Sequence, residues 1–281
     1  MAASDIEIDA AIKELEASCI RLVEAQNSTG TSFLGGLPQL HPDQEWPKAP
    51  EGTPLHFLAQ IDCSQLPKFP QNPLPETGTL FFFGKVDEEQ IWDPPGRWSF
   101  KPAGTSRVLY TDRAPSTEDR TAPTNLPPVH DGSNYYYCEP KWEGDWRFGD
   151  KPPHSVFPRL FVDPVQSVSY PVGDRVFRFY KDSEAFSQRS DELIESSMKA
   201  AGYSLVDNND PSGERLLNHA MLGYSNEANE DGADEVLLLQ LDSDHRIEWI
   251  WADVGMAQFW ISEKNLRARK FNKAFGTVAG G

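Results

Sequence analysis

The sequence is short of cysteine. Cys19, Cys63 and Cys138 are its only three, and they stand far apart with no C-x-x-C pair. Neither a disulfide framework nor a zinc knuckle is expected, and all three read as buried thiols of a reducing compartment. Long hydrophobic runs are also missing. The longest, around Val236 to Leu239, is strand-sized against the roughly 20 residues a membrane helix needs. Met1 to Asp9 lacks the basic start and apolar run of a secretion signal, so the expected location is the cytoplasm. Positive charge is scarce, with 26 Lys+Arg against 43 Asp+Glu, a net charge of −17 and a pI near 4.7. Such a field repels phosphate backbones and anionic lipid, which argues against nucleic-acid and membrane partners. Catalytic signatures are absent too: no G-x-S-x-G elbow, no Walker loop, no G-x-G-x-x-G and no H-E-x-x-H. The six histidines show no i, i+4 pairing and no H-x-H, and Asp207 to Glu214 puts Pro211 and Ser212 where a calcium loop needs a ligand and a glycine. No catalytic residue, metal or cofactor is expected.

What the chain does have is bulk for a core. Its 281 residues include 16 Phe, 8 Trp and 8 Tyr, enough to fold without a staple and too aromatic for wholesale disorder. Residues 5–26 read as one amphipathic helix packed on a sheet, because Ile8, Ile12, Leu15, Cys19 and Leu22 recur at steps of four and three. Of 23 prolines, 22 lie between Pro38 and Pro171. Proline is excluded from helix interiors and central strands, so the middle of the chain reads as short strands joined by long loops. Expected strands are 55–61, 79–84, 107–110 and 175–180, and 111–128 reads as a mobile surface excursion. Beyond Pro171, Ser190 is expected to cap a helix running to about Ala200, and 207–213 a turn. Strands follow at 235–241, 246–251 and 257–261, then a short helix capped by Ser262.

Two segments echo each other. Gly35-Gly36-Leu37-Pro38, Leu58-Ala59-Gln60-Ile61-Asp62 and Gly78 before Phe81-Phe82-Phe83 share an order of features with Leu222-Gly223-Tyr224, Leu238-Leu239-Gln240-Leu241-Asp242 and Gly255 before Phe259-Trp260-Ile261. The expected fold is α+β and mostly β: two sheet-based lobes related by internal duplication. A single domain over 1–281 would divide into an N-terminal helix (1–30), an N-terminal lobe (31–110), a proline-rich connecting segment (111–171) and a C-terminal lobe (172–281).

Ser32-Phe33-Leu34-Gly35-Gly36-Leu37-Pro38, Glu45-Trp46-Pro47 and Phe57-Leu58-Ala59-Gln60-Ile61 resemble the front half of the YwqG-like bacterial family, a domain of unknown function. Leu237 to Asp244, Trp249-Ile250-Trp251-Ala252-Asp253-Val254-Gly255 and Phe259-Trp260-Ile261 resemble its most diagnostic block. The resemblance covers roughly 31–84 and 215–275, and is loose over 86–170. It departs where family members carry a glutamine soon after the Gly-Tyr turn, since Gly223-Tyr224 leads here into Ser225-Asn226-Glu227-Ala228-Asn229. The resemblance implies a mostly β, α+β fold and no established activity. For some bacterial members it also implies gene neighbourhoods of contact-toxin systems.

Two groups of residues are candidates for function. Trp251 and Asp253 offer an aromatic wall beside a carboxylate, a common ligand-pocket recipe, with core tryptophans and aspartate-fixed turns as the alternative. Gln60 and Gln240 lie inside apolar strands, where a buried amide either pins loop backbone or meets a ligand. The second group follows charge. Residues 182–244 hold fifteen acidic residues against Arg189, Lys199 and Arg215, while 262–281 carries five basic residues against Glu263 alone. Glu227, Glu230, Asp231 and Asp234 lie in the acidic stretch and would steer a basic protein. The first expectation is therefore a non-enzymatic protein-binding module of the kind by which an immunity-type protein masks a basic toxin. The alternative is a small-molecule binder or hydrolase with a cleft between its lobes.

Overall fold

The computed structural model describes residues 5–27, 29–70, 72–86, 104–129, 154–171, 183–204, 206–207, 214–224, 235–249, 251 and 255–279. In chain order these form α1 (Asp5–Glu14), β1 (Ala17–Glu24), β2 (Phe33–Leu34), β3 (His56–Asp62), β4 (Thr79–Gly84), β5 (Ser106–Thr111), β6 (Leu160–Ser169) and α2 (Ser183–Ala200). A short pair, β7 (Val206–Asp207) with β8 (Glu214–Arg215), precedes β9 (Ala220–Met221), β10 (Glu235–Asp242), β11 (Met256–Ser262), α3 (Glu263–Arg267) and β12 (Phe275–Ala279). The class is α+β, mostly β.

Among the described residues, ten strands form one antiparallel sheet in the order β12-β11-β10-β9-β1-β6-β2-β3-β4-β5. The sheet curls until its outermost strands nearly meet, where Gly276 N donates to Ser106 Oγ on β5 at 2.8 Å. A single apolar core fills the inside, drawing Leu58, Leu80 and Phe82 from one half and Leu239, Phe259 and Ile261 from the other. Phe82 and Phe259 meet edge to face at 5.1 Å, so the two halves share one interior. A second cluster, with Phe33, Phe57, Phe81 and Phe83, lies under the 37–55 loop.

The N-terminal helix is shorter than its periodicity predicts. It ends at Glu14, and Ala17–Glu24 is the strand at the middle of the sheet. Cys19, Ile20, Arg21 and Leu22 are buried one after another. A helix lying on a surface has an exposed face, whereas a central strand covered on both sides buries every residue. α1 packs through Ile8 and Ile12 on Phe186 of α2, and α2 rests in turn on β6.

β6 breaks the expectation drawn from proline, because Pro164 sits inside it. Leu22, opposite Pro164, sends its N–H the other way, to His219 O at 2.9 Å. The pair is therefore a non-hydrogen-bonded one, and the donor that proline lacks would point away from β1. There β2 has already ended, having paired only with Leu160 and Phe161. Pro164→Ala is expected to lower stability by no more than about 1 kcal/mol, through the freer unfolded chain alone. Urea unfolding checks this, and a loss of several kcal/mol would refute it.

Other boundaries differ for local reasons. Ser190 lies inside α2, its hydroxyl donating to Pro171 O at 2.6 Å, so it is a tether and not a cap. Ser262 does cap α3, accepting from Asn265 N. The excursion 111–128 is bonded along the 37–44 loop: Ser116 N and Arg120 N donate to Gln39 O and Pro38 O, and Arg113 pairs with Asp43. The strand expected at 175–180 lies outside the described residues.

The two halves run in step. The bulge in the β3–β4 register falls at Leu58 and that in β10–β11 at Leu238, each two residues before a glutamine. Gly35 and Gly36 have φ of 63° and 71°, Leu222 and Gly223 63° and 74°. Gly35 N donates to Leu58 O and Leu222 N to Leu237 O. After the long strand, Cys63 N donates to Gly78 O and Ser243 N to Gly255 O. The partners at the centre are crossed: β1, which precedes the first meander in sequence, lies beside β9, and β6 lies beside β2.

Candidate functional site

The strand directions put the 243–255 connection at one end of the barrel and the 63–78 connection at the other. The first end is built around Asp244. Ile247 N and Trp249 N both donate to its carbonyl, and its own N–H donates to Trp249 O. Its side chain accepts from Arg246 N at 2.9 Å and Arg246 Nε at 3.0 Å through Oδ1, and from Arg246 Nη2 at 2.7 Å through Oδ2. This closes a tight loop, so 246–251 is not the strand its alternation predicts. His245–Ile247 form a 3-10 turn, and Glu248 turns into the left-handed region at φ 62°. Trp249 and Trp251, spaced like one face of a strand, instead enter the core from this loop.

The loop rests on a buried polar chain. Asp242 N–H donates to His219 Nδ1 at 3.1 Å, which leaves the ring proton on Nε2, facing Asp244 Oδ2 at 3.1 Å. Arg246 continues outward to Glu24 at 2.6 Å. Burial alone would push the Asp244 carboxyl up. The hydrogen bonds from His219 and Arg246 and the Arg246 charge overturn this and hold it well below the ordinary carboxylate range. Beside this chain Arg21, 2% exposed, donates to Asn218 Oδ1 at 2.6 Å, to Val168 O and to Ser197 Oγ. The corresponding place in the other half is held by neutral groups, with Asp62 N donating to Ser32 Oγ and Ser32 Oγ to Gln65.

Around Trp249 stand Phe157 at 5.9 Å, His219 at 6.1 Å and Trp251 at 5.5 Å. His154 Nε2 lies 2.7 Å from Glu248 Oε2, with the histidine side chain 27% exposed and the glutamate 5%. This is the acid–base pair of this end. The two described thiols are unreactive: burial raises Cys19, and burial with the Asp62 charge pushes Cys63 up to about 12, while Cys138 lies outside the described residues. Among the described residues no group of three or more His, Cys, Asp or Glu could hold a metal. Nor is any described helix long and apolar enough to cross a membrane.

The expected site residues separate. Gln60 is fully buried and its amide is committed: Oε1 accepts from Gln39 N at 2.8 Å, and Nε2 donates to Thr31 O and Gln39 Oε1. Gln240 Nε2 donates to Asn218 O at 3.1 Å. Both pin a loop onto their own half, and the structure does not bring them together with Trp251. Trp251 is 1% exposed in the core. Asp253, Glu227, Glu230, Asp231 and Asp234 lie outside the described residues. Sequence reasoning missed Arg21, His219, Glu248 and His154. For Arg21 and His219 the signal was a lone ionisable residue inside an apolar run, Cys19–Val23 and Leu216–Leu222. Glu248 and His154 left none.

A family model described as a domain of unknown function, DUF1963, matches residues 32–279, and so spans both meanders and the crossing strand β6. Comparison with curated proteins gave no match.

Proposed function

We propose, for a chain that belongs to the DUF1963 family, a non-enzymatic protein-binding role in which an acidic face engages a basic protein. The observation that carries it is charge segregation, seen in the described residues on α2. Glu184, Asp191, Glu192 and Glu195 are exposed there, and both cations of the helix are already paired, Arg189 with Asp9 and Glu192 and Lys199 with Glu195. A face of that kind raises encounter rates with a cation-rich partner and fixes its orientation. Glu227, Glu230, Asp231 and Asp234 extend the same acidic stretch of sequence. The YwqG-like affiliation, a bacterial source, a cytoplasmic location, descent of the two halves from one duplicated unit and an immunity-type masking of a toxin belong to this reading. The alternative, a small-molecule binder or hydrolase using an inter-lobe cleft, has less support, because Gln60 and Gln240 are spent on loop backbone and the halves share one core.

Co-purification from the native host at low and physiological salt tests the reading. A basic protein is expected to accompany the wild-type chain. The exchange Glu184→Lys with Asp191→Lys is expected to weaken that association at least about tenfold and to flatten its salt dependence, with the fold unchanged at these exposed positions. Recovery of the protein alone would overturn it.

A further inference from the structure

Two buried hydrogen-bond donors at one end of the barrel have nothing to bond. Trp249 and Trp251 are 0% and 1% exposed, their rings 5.5 Å apart, and among the described residues neither indole N–H has an acceptor. The other two described indoles are satisfied. Trp46 Nε1 donates to Leu55 O at 2.8 Å, and Trp260 Nε1 reaches Gln258 Oε1 and Thr277 Oγ1, each at 3.3 Å. Buried donors left unmade are rare and costly in native proteins, so two on adjacent, touching rings point to a partner that is not part of the chain.

Two further features mark the same end. Glu248, directly before Trp249, is held at φ 62°, a strained state for a non-glycine residue that persists only where its surroundings impose it. The equivalent connection at the opposite end is closed by Leu66 and Leu74, which shows that the fold can plug a barrel end with side chains that need no partner. Tryptophan at this end is a departure that the architecture does not require.

We propose that this end of the barrel binds a small neutral molecule, an amide or lactam, whose carbonyl oxygen accepts hydrogen bonds from the indole N–H groups of Trp249 and Trp251. The acceptor follows from the two free donors. Neutrality follows from the cost of burying an ion beside rings that are 0% and 1% exposed and from the chain's charge of −17, which disfavours an anion. The aromatic edges of Phe157 and His219 against Trp249 suit a flat apolar body. This site is independent of the acidic face.

The test follows the indole N–H resonances of the whole 15N-labelled protein during titration with benzamide and 2-piperidone, with sodium benzoate as the charged comparator. Trp249→Phe and Trp251→Phe assign the two signals. Both are expected to shift downfield and saturate with the neutral probes while those of Trp46 and Trp260 stay in place, and benzoate is expected to bind at least about tenfold more weakly. Trp251→Phe removes a donor and keeps an aromatic filler, so it is expected to stay folded and to weaken benzamide about tenfold, the equivalent of one lost hydrogen bond. Signals that do not move with either neutral probe, that move together with Trp46 and Trp260, or that respond equally to benzoate would each overturn the proposal. So would a folded Trp251→Phe with unchanged affinity.

Discussion

Asp244→Asn is expected to cost about 3–5 kcal/mol, the range for removing one partner of a buried ion pair. The carboxylate is fully buried and serves His219 and Arg246 at once, and it also fixes the loop that delivers both tryptophans. Replacing it leaves the Arg246 guanidinium with Glu24 alone, a partner whose side chain is 55% exposed and therefore weak. The pH dependence separates this cause from simple misfit. The native carboxyl titrates below its unfolded value of 3.8. Its contribution is thus fully present above about pH 4 and is lost as pH falls through the lower native value. Urea unfolding between pH 7 and pH 3 is expected to show the wild-type advantage over Asp244→Asn wide at neutral pH and shrinking toward pH 3. A gap that stays constant would show that charge is not what Asp244 supplies.

Gly35→Ala is the second large effect. At φ 63° any side chain costs about 1–2 kcal/mol, and the new Cβ would lie 2.0 Å from Pro158 O and 2.8 Å from Ile247 Cγ2. The carbonyl belongs to the backbone that leads into β6, so it has no rotamer in which to retreat. Overpacking of this kind adds about 1–3 kcal/mol, for a total of about 2–5 kcal/mol. Gly52 is the control, since it has φ 91° but nothing within 4 Å of its Cβ. Gly52→Ala is expected to lose only the conformational share. Thermal unfolding of the pair decides the matter: equal losses would mean that the contact of Gly35 with Pro158 and Ile247 carries no weight.

Much of the sheet was legible because its strands announce themselves. Thr79–Gly84 and Met256–Ser262 are apolar runs of strand length bounded by glycine or a cap, and Glu235–Asp242 is one set off by the polar residues around it. The errors arose where one pattern serves two structures. Ile8, Ile12 and Leu15 continue at helical spacing into Cys19 and Leu22, yet only consecutive burial reveals β1, and burial depends on β6 and β9, strands drawn from far along the chain. Pro164 hid β6 because the harmlessness of its missing N–H depends on where β2 ends. At Trp249 and Trp251 it is the backbone that differs. Alternation predicts a strand, whereas the Asp244 carboxylate makes a loop whose rings converge by turning and not by pleating. Gln60 and Gln240 were recognisable as buried amides, and their loop-pinning bonds are the simpler of the two readings such residues allow.

The crossing of β1 and β6 at the middle of the sheet also sets a timetable for synthesis. Among the described residues β1 pairs only with β6, which begins at Leu160, and with β9, which is later still. At about 5–20 residues per second, β1 waits roughly 7–30 s for its first neighbour. The β2–β5 meander can form in that interval, but it has no central strand to close against until β6 is translated. An unpaired stretch reading Ser18-Cys19-Ile20-Arg21-Leu22-Val23 is exposed meanwhile, and the arginine at its centre interrupts what would otherwise be an adhesive apolar segment. The nascent chain thus carries its own gatekeeper in the residue that later becomes the buried anchor of the finished sheet.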